Sequence, residues 1–180
     1  MTGVVPAREV HRAAVAALGP TFLAYGFSRV RTSVAGWQRP SAEEFVVAWV
    51  QPSHRADPFG WYGTSFTIEF RRSTEPRIYT GGASAARFCQ LLDDSARERV
   101  RQANNDVVRK LPRTPRNVVR QLPRDVRDSY RSNGDLRKEP YGVDEDVWFR
   151  HRDAADLDAW MLILAELMPG VLVAVQERFG

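Results

Sequence analysis

Apolar residues recur at helical spacing at both ends of this chain and at alternate positions between them. Over residues 6–25, Val10, Ala14, Ala17/Leu18, Thr21/Phe22 and Tyr25 fall on one face of a helix. Gly26 stands where a left-handed C-terminal cap belongs. The period then changes to two. Residues 27–39 set Val30, Thr32 and Val34 against Arg29, Arg31 and Ser33, which predicts a first strand, with Pro40-Ser41 as its turn. The run EFVVAWVQ at 44–51 is almost continuously apolar and β-branched, which predicts a central strand buried on both faces. Residues 63–72 alternate most cleanly, Phe66, Ile68 and Phe70 against Ser65, Thr67, Glu69 and Arg71. A short fourth strand is predicted over 76–80, ended by Gly81-Gly82.

The second half returns to helical spacing. Ser84 is an N-cap for a helix carrying Phe88, Leu91 and Leu92. A second helix over 94–111 aligns Ala96, Val100, Ala103, Val107 and Leu111, and Pro112 stops it. The run Val107-Val108-Arg109-Lys110-Leu111-Pro112-Arg113 then nearly repeats as Val118-Val119-Arg120-Gln121-Leu122-Pro123-Arg124, as two proline-stopped helical turns would. Ser132-Asn133-Gly134-Asp135 reads as a turn or link, and 147–150 as a short strand. Asp153, with Asp156 three residues on, caps a helix whose core stripe is Leu157, Trp160, Met161, Leu164 and Met168. Pro169 begins a final helix ending at Phe179. Strands first and helices later predict an α+β domain spanning 1–180. Its mainly antiparallel sheet of three to five strands is packed by the N- and C-terminal helices, with a basic helical insertion at 97–139.

Composition narrows the class. A chain of 180 residues with 43% hydrophobic content suits one packed domain. A lone cysteine, Cys89, excludes an internal disulfide and fits a reducing cytoplasm. The start, with Arg8, His11 and Arg12 ahead of an Ala-rich stretch, has the look of a signal peptide, but its apolar part over 13–18 is too short. Residues 157–175 are the most apolar window. Asp158, Glu166 and Pro169-Gly170 make it a buried helix rather than a membrane span.

Charge is distributed unevenly. Residues 97–138 hold 13 of the 26 Lys+Arg and five acids, a net +8, while the whole chain is +4, so the rest carries −4. Arginine outnumbers lysine 24 to two, a bias that high-GC codon usage also produces.

The run Phe22-Leu23-Ala24-Tyr25-Gly26-Phe27, Trp37-Gln38-Arg39, Trp49-Val50-Gln51, the strand from Ser65 through Phe70, and Val147-Trp148-Phe149 before an acid-capped helix are similar to bacterial DUF4304-type domains. The resemblance covers roughly residues 10–72 and 140–179 and rests mostly on core positions. It implies an α+β fold, implies no active-site residues, and leaves 97–138 outside the pattern.

Candidate chemistry is sparse. The loop over 52–62 gathers His54, Arg55, Asp57, Phe59, Trp61 and Tyr62 between two strong strands. His54, Arg55, Phe59, Trp61 and Tyr62 are residue types that form partner-binding surfaces, or a loop that folds over the sheet edge with Trp61 as anchor. Asp144, Glu145, Asp146, His151 and Asp153 are metal-ligand types, but their spacing matches no metal motif. The three acids read as a solvated turn and Asp153 as a helix cap. Asp57 and Glu69 loosely suggest a nuclease pair, yet Arg71 stands where a general base is needed and stays protonated. There is no G-x-S-x-G, no Walker loop and no G-x-G-x-x-G, and Cys89 falls on a predicted helix. No catalytic residue, metal or cofactor is assigned.

The basic insert sets Arg109, Lys110, Arg113, Arg116, Arg120, Arg124 and Arg127 at spacings of three or four after Lys110. Such a face tracks phosphates, docks an acidic protein, or is solvated and paired with Asp125, Asp128 and the acidic body. Tyr130 is the only aromatic between Phe88 and Tyr141, so base stacking is disfavoured. The expectation is a non-enzymatic cytoplasmic bacterial domain that binds a macromolecule, a protein before a nucleic acid, with no membrane. Analogy with small orphan domains adds an immunity or defence association. A nucleic-acid-binding protein is the alternative, and a hydrolase or nuclease the third reading.

Overall fold

Helix α1 (Ala7–Ala24) forms because its apolar residues repeat every fourth position, and Val10, Ala14, Leu18 and Phe22 are its buried stripe. It ends in a Schellman turn. The N–H of Phe27 reaches the carbonyl of Phe22 at 3.0 Å and that of Gly26 reaches Leu23 at 3.0 Å. Gly26 takes the required φ of +79°. The rings of Phe22 and Phe27 meet edge to face at 5.3 Å, closing the cap with an apolar contact. The computed structural model describes residues 5–30, 32, 34–42, 44–52, 64–75, 77, 85–110 and 148–180.

Among the described residues six strands form one antiparallel sheet: β1 (Ser28–Arg29), β2 (Gly36–Ser41), β3 (Glu44–Pro52), β4 (Thr64–Ser73), β5 (Ala85–Arg87) and β6 (Phe149–His151). The order is β1-β2-β3-β4, and β5 and β6 both pair with β4. β5 lies opposite residues 69–71 and β6 opposite 64–66, so the two share the edge that β3 leaves open. The α+β class and the flanking helices agree with the sequence pattern.

Several details differ. The strand expected over 27–39 is two strands, because Arg29 folds back on the connection. Its guanidinium donates to the carbonyls of Gly36 at 2.6 Å, Val34 at 2.9 Å and Val30 at 3.1 Å. Pro40 and Ser41 belong to β2, and the turn falls one residue later, with Ala42 at φ +47° between paired Ser41 and Glu44. The helix expected after Ser84 is instead β5 and a 3-10 turn (Phe88–Leu91). Ala86 completes the sheet opposite Phe70, and that burial decides the conformation. The strand expected over 76–80 lies outside the described residues except for Arg77.

Helix α2 (Asp94–Arg109) is capped by Asp93, whose carboxylate accepts from the Ala96 N–H at 2.8 Å. It buries Val100, Asn104 and Val107. Helix α3 (Ala154–Phe179) runs through Pro169 rather than breaking there. Its stripe continues in phase as Leu164, Met168, Val171/Leu172, Val175 and Phe179. Burial of both halves outweighs the loss of one backbone bond at the proline, which costs about 3 kcal/mol. By length and composition alone α3 is apolar enough to cross a membrane, yet this stripe is packed in the core.

The register divides the sheet into two faces. Trp37, Val46, Ala48, Val50, Phe66, Ile68, Phe70, Ala86 and Phe149 join the stripes of α1 and α3 in one core. The opposite face carries Val47 and Trp49 from β3, and Thr67, Glu69 and Arg71 from β4.

Candidate functional site

Alternation along β4 places Thr67, Glu69 and Arg71 side by side away from the main core. Glu69 is 5% exposed and held by two guanidiniums, Arg71 at 2.6 Å and Arg87 at 3.2 Å. Gln51 bridges the group, donating to Glu69 at 3.5 Å and accepting from Arg87 at 3.0 Å. Arg71 lies over Trp49 at 5.2 Å and Arg87 over Trp148 at 5.7 Å. The result is a row of Trp49, Arg71, Glu69, Arg87 and Trp148. Both carboxylate oxygens of Glu69 are engaged by permanently charged donors, so the arrangement ties β4 to β5. Arg71, which stands where a general base is needed and stays protonated, is the residue that pairs with Glu69. Asp57, its proposed partner, lies outside the described residues.

Of the metal-type cluster only His151 and Asp153 lie among the described residues. Among the described residues no group of three His, Cys, Asp or Glu side chains could hold an ion. His151 is buried, with Nδ1 3.4 Å from the Phe149 carbonyl oxygen and its ring 5.7 Å from that of Phe66. Burial pushes its pKa below the usual imidazole value, against weaker upward pulls from that carbonyl, Asp156 and Asp153. Asp153 is the cap of α3, accepting from the Asp156 N–H at 3.0 Å. Asp156 in turn takes a two-pronged bond from Arg152, which holds its carboxyl below the usual range. Asp144, Glu145 and Asp146 lie outside the described residues.

Neither predicted binding surface can be placed as a whole. His54, Arg55, Phe59, Trp61 and Tyr62 all lie outside the described residues, as do Arg113, Arg116, Arg120, Arg124 and Arg127. Arg109 and Lys110 sit at the exposed end of α2. Arg109 pairs with Asp106 at 3.6 Å, and the Lys110 charge is felt by Asp156. Cys89 is buried on the 3-10 turn.

Two concavities were not singled out by the sequence pattern. The first is a groove of about 360 Å³ between α3 and the start of α2. Leu91, Leu92, Ala96, Leu167, Val171 and Val173 line it together with three acids, Asp93, Glu166 and Glu177. Gly170 opens into it, and a Cβ added there would meet nothing within 4 Å. Glu166 is bound by both terminal nitrogens of Arg99, which lowers its pKa. The signal for this groove is Gly170 within the most apolar window of the chain. The second concavity, about 420 Å³, is lined by Arg8, His11, Arg12, Val15, Ala16 and Arg29. Its signal is two arginines four apart at the start of an amphipathic helix. No family model, curated protein sequence or solved structure matches the chain.

Proposed function

We propose that this chain is a non-enzymatic binding domain whose partner is a protein, docked in the groove between α3 and the start of α2. The observation that carries the reading is the pairing of apolar with acidic lining residues. The partner segment that fits is a basic amphipathic helix, its apolar side in the groove and its Lys/Arg residues facing Asp93 and Glu177, since Glu166 is already paired with Arg99. Val173 is half-exposed at the groove, and Leu162 lies three turns earlier on the same side of α3, 74% exposed. These two extend the apolar surface beyond the groove. Buried Cys89 and the absence of an assembled acid–base group among the described residues suit a binding role in a reducing compartment.

The test is fluorescence anisotropy with a labelled amphipathic Leu/Lys helical peptide. Saturable binding is expected, weakened at least tenfold by Gly170→Arg, which fills the groove with a like charge for the peptide. Gly170→Ala checks the fold. It points into open space and adds roughly 1 kcal/mol of stability through helix propensity. Equal peptide binding by the Gly170→Arg variant and the parent, or no binding by either, sinks the proposal.

A further inference from the structure

We infer that the concavity at the start of α1 is a binding site for a small organic phosphate. Two elements build it. The first two turns of α1 supply Arg8, His11 and Arg12, and β1 supplies Arg29. Among the described residues no carboxylate lines it, and Arg8, Arg12 and Arg29 make no ion pair. Among those residues, three guanidiniums therefore face one cavity without a counter-ion.

Folding explains the position of Arg29 but not that of the two arginines on α1. Arg8 stands in the first turn of α1, where the positive end of the helix dipole disfavours a cation. Arg8 and Arg12 are four residues apart on one helical face, where like charges repel. Partial burial of Arg29 lowers its pKa. Three of its five N–H donors go to the carbonyls of Val30, Val34 and Gly36. Those bonds, with the Trp37 ring at 5.4 Å, fix the head in place and leave two donors for a ligand. The remaining feature is an apolar floor of Val15 and Ala16.

Each property selects part of the ligand. Converging guanidiniums with no acid select a compact dianion, which arginine binds through paired N–H···O bonds. The apolar floor selects a carbon skeleton attached to it. A cavity of about 420 Å³ is of the size that small-molecule sites have. The grouping is one pocket rather than a stripe, so it suits a single phosphate group better than the repeating phosphates of a nucleic acid. His11 is oriented for a supporting role. Its Nδ1 accepts the Ala35 N–H at 3.2 Å, which places the ring proton of the neutral form on Nε2.

Calorimetric titration of the full chain at low salt tests this, with phenyl phosphate, inorganic phosphate and a short DNA duplex as separate probes. Phenyl phosphate is expected to bind saturably at one site, more tightly than inorganic phosphate. The Arg8→Gln and Arg12→Gln changes should each weaken it about tenfold, as loss of a charged hydrogen bond does. Both side chains are exposed, so these variants keep the fold, and their melting curves check that. Ala16→Glu leaves every arginine in place and should abolish binding by putting a carboxylate in the cavity. Absence of saturable phenyl phosphate binding overturns the inference. So does a duplex that binds through Arg8 and Arg12 and is not displaced by phenyl phosphate. Gly170→Arg is remote from this cavity and should leave the titration unchanged, so this site and the groove on α3 fail or survive separately.

Discussion

The two faces of the sheet solve the same problem by different means. On the face covered by α1 and α3, Phe22 stacks on Trp37 at 4.1 Å, and Phe149 touches Phe66, Phe88 and Trp160 at 5.0–5.8 Å. Apolar burial is non-directional, so each ring there has several substitutes for any one contact. On the other face, Glu69, Arg71, Arg87 and Gln51 are tied by directional bonds, and each partner depends on the others. The first face tolerates change in shape poorly and change in detail well. The second does the reverse.

The comparison can be broken in order of expected effect. Phe66→Ala should destabilise the protein by about 3–5 kcal/mol in denaturant unfolding, because a fully buried ring leaves a cavity. A loss below about 1 kcal/mol would show that this face is not the main core. Glu69→Ala should cost about 2–3 kcal/mol, since it leaves two guanidiniums facing each other with no carboxylate between them. The arginine heads reach solvent, which keeps the cost below that of a fully buried pair. Pairing it with Arg87→Ala should be clearly non-additive, whereas pairing it with Phe66→Ala should be additive. Simple additivity of Glu69→Ala and Arg87→Ala would remove the distinction between the faces.

His151 sharpens the comparison by pH. Its pKa is lowered in the folded state, so the unfolded chain binds the extra proton first. Stability is therefore full above the ordinary imidazole value and falls as pH drops below it toward the folded value. Asp156 and Glu166, also lowered, act in the same direction but only below the ordinary carboxylate range. Denaturant midpoints should fall between pH 7 and 5, and His151→Asn should flatten that slope. An unchanged slope would mean that His151 does not titrate with unfolding. The smallest effect has the opposite sign. Thr67 is 1% exposed and its hydroxyl has no hydrogen-bond partner among the described residues. Thr67→Val should stabilise by about 1 kcal/mol, and a loss of that size would reveal a bond to that hydroxyl.

The apolar face was legible in the sequence because burial writes itself as a period. Val10, Ala14, Leu18 and Phe22, the alternation of Phe66, Ile68 and Phe70, and the stripe of α3 all follow from spacing. Trp49 and Phe66 are both buried on adjacent strands as expected, but they face opposite ways. Elements decided by a single long-range contact were not legible. Ala86 becomes strand only because Phe70 lies opposite, and Val30 and Val34 stand outside the strands where Arg29 binds their carbonyls. The charged row was half visible. Glu69 and Arg71 share a strand face, but Gln51, Arg87 and Trp148 arrive from three other segments. The cavity of Arg8, Arg12 and Arg29 was hidden for the same reason, since its third arginine comes from another element.

The packing of α1 against α3 has a consequence for the order of events during synthesis. Every strand precedes α3 in the chain, and β6 closes the β4 edge only after a long excursion from β5. A chain emerging from its N-terminus can pair β1 to β4 early, but the aromatic side of that sheet has only α1 to cover it. Phe66, Phe70 and the far half of the core stay open until the 26-residue helix α3 is released. The nascent protein is thus most prone to aggregation just before α3 is released, and slowing elongation ahead of α3 would prolong that exposure.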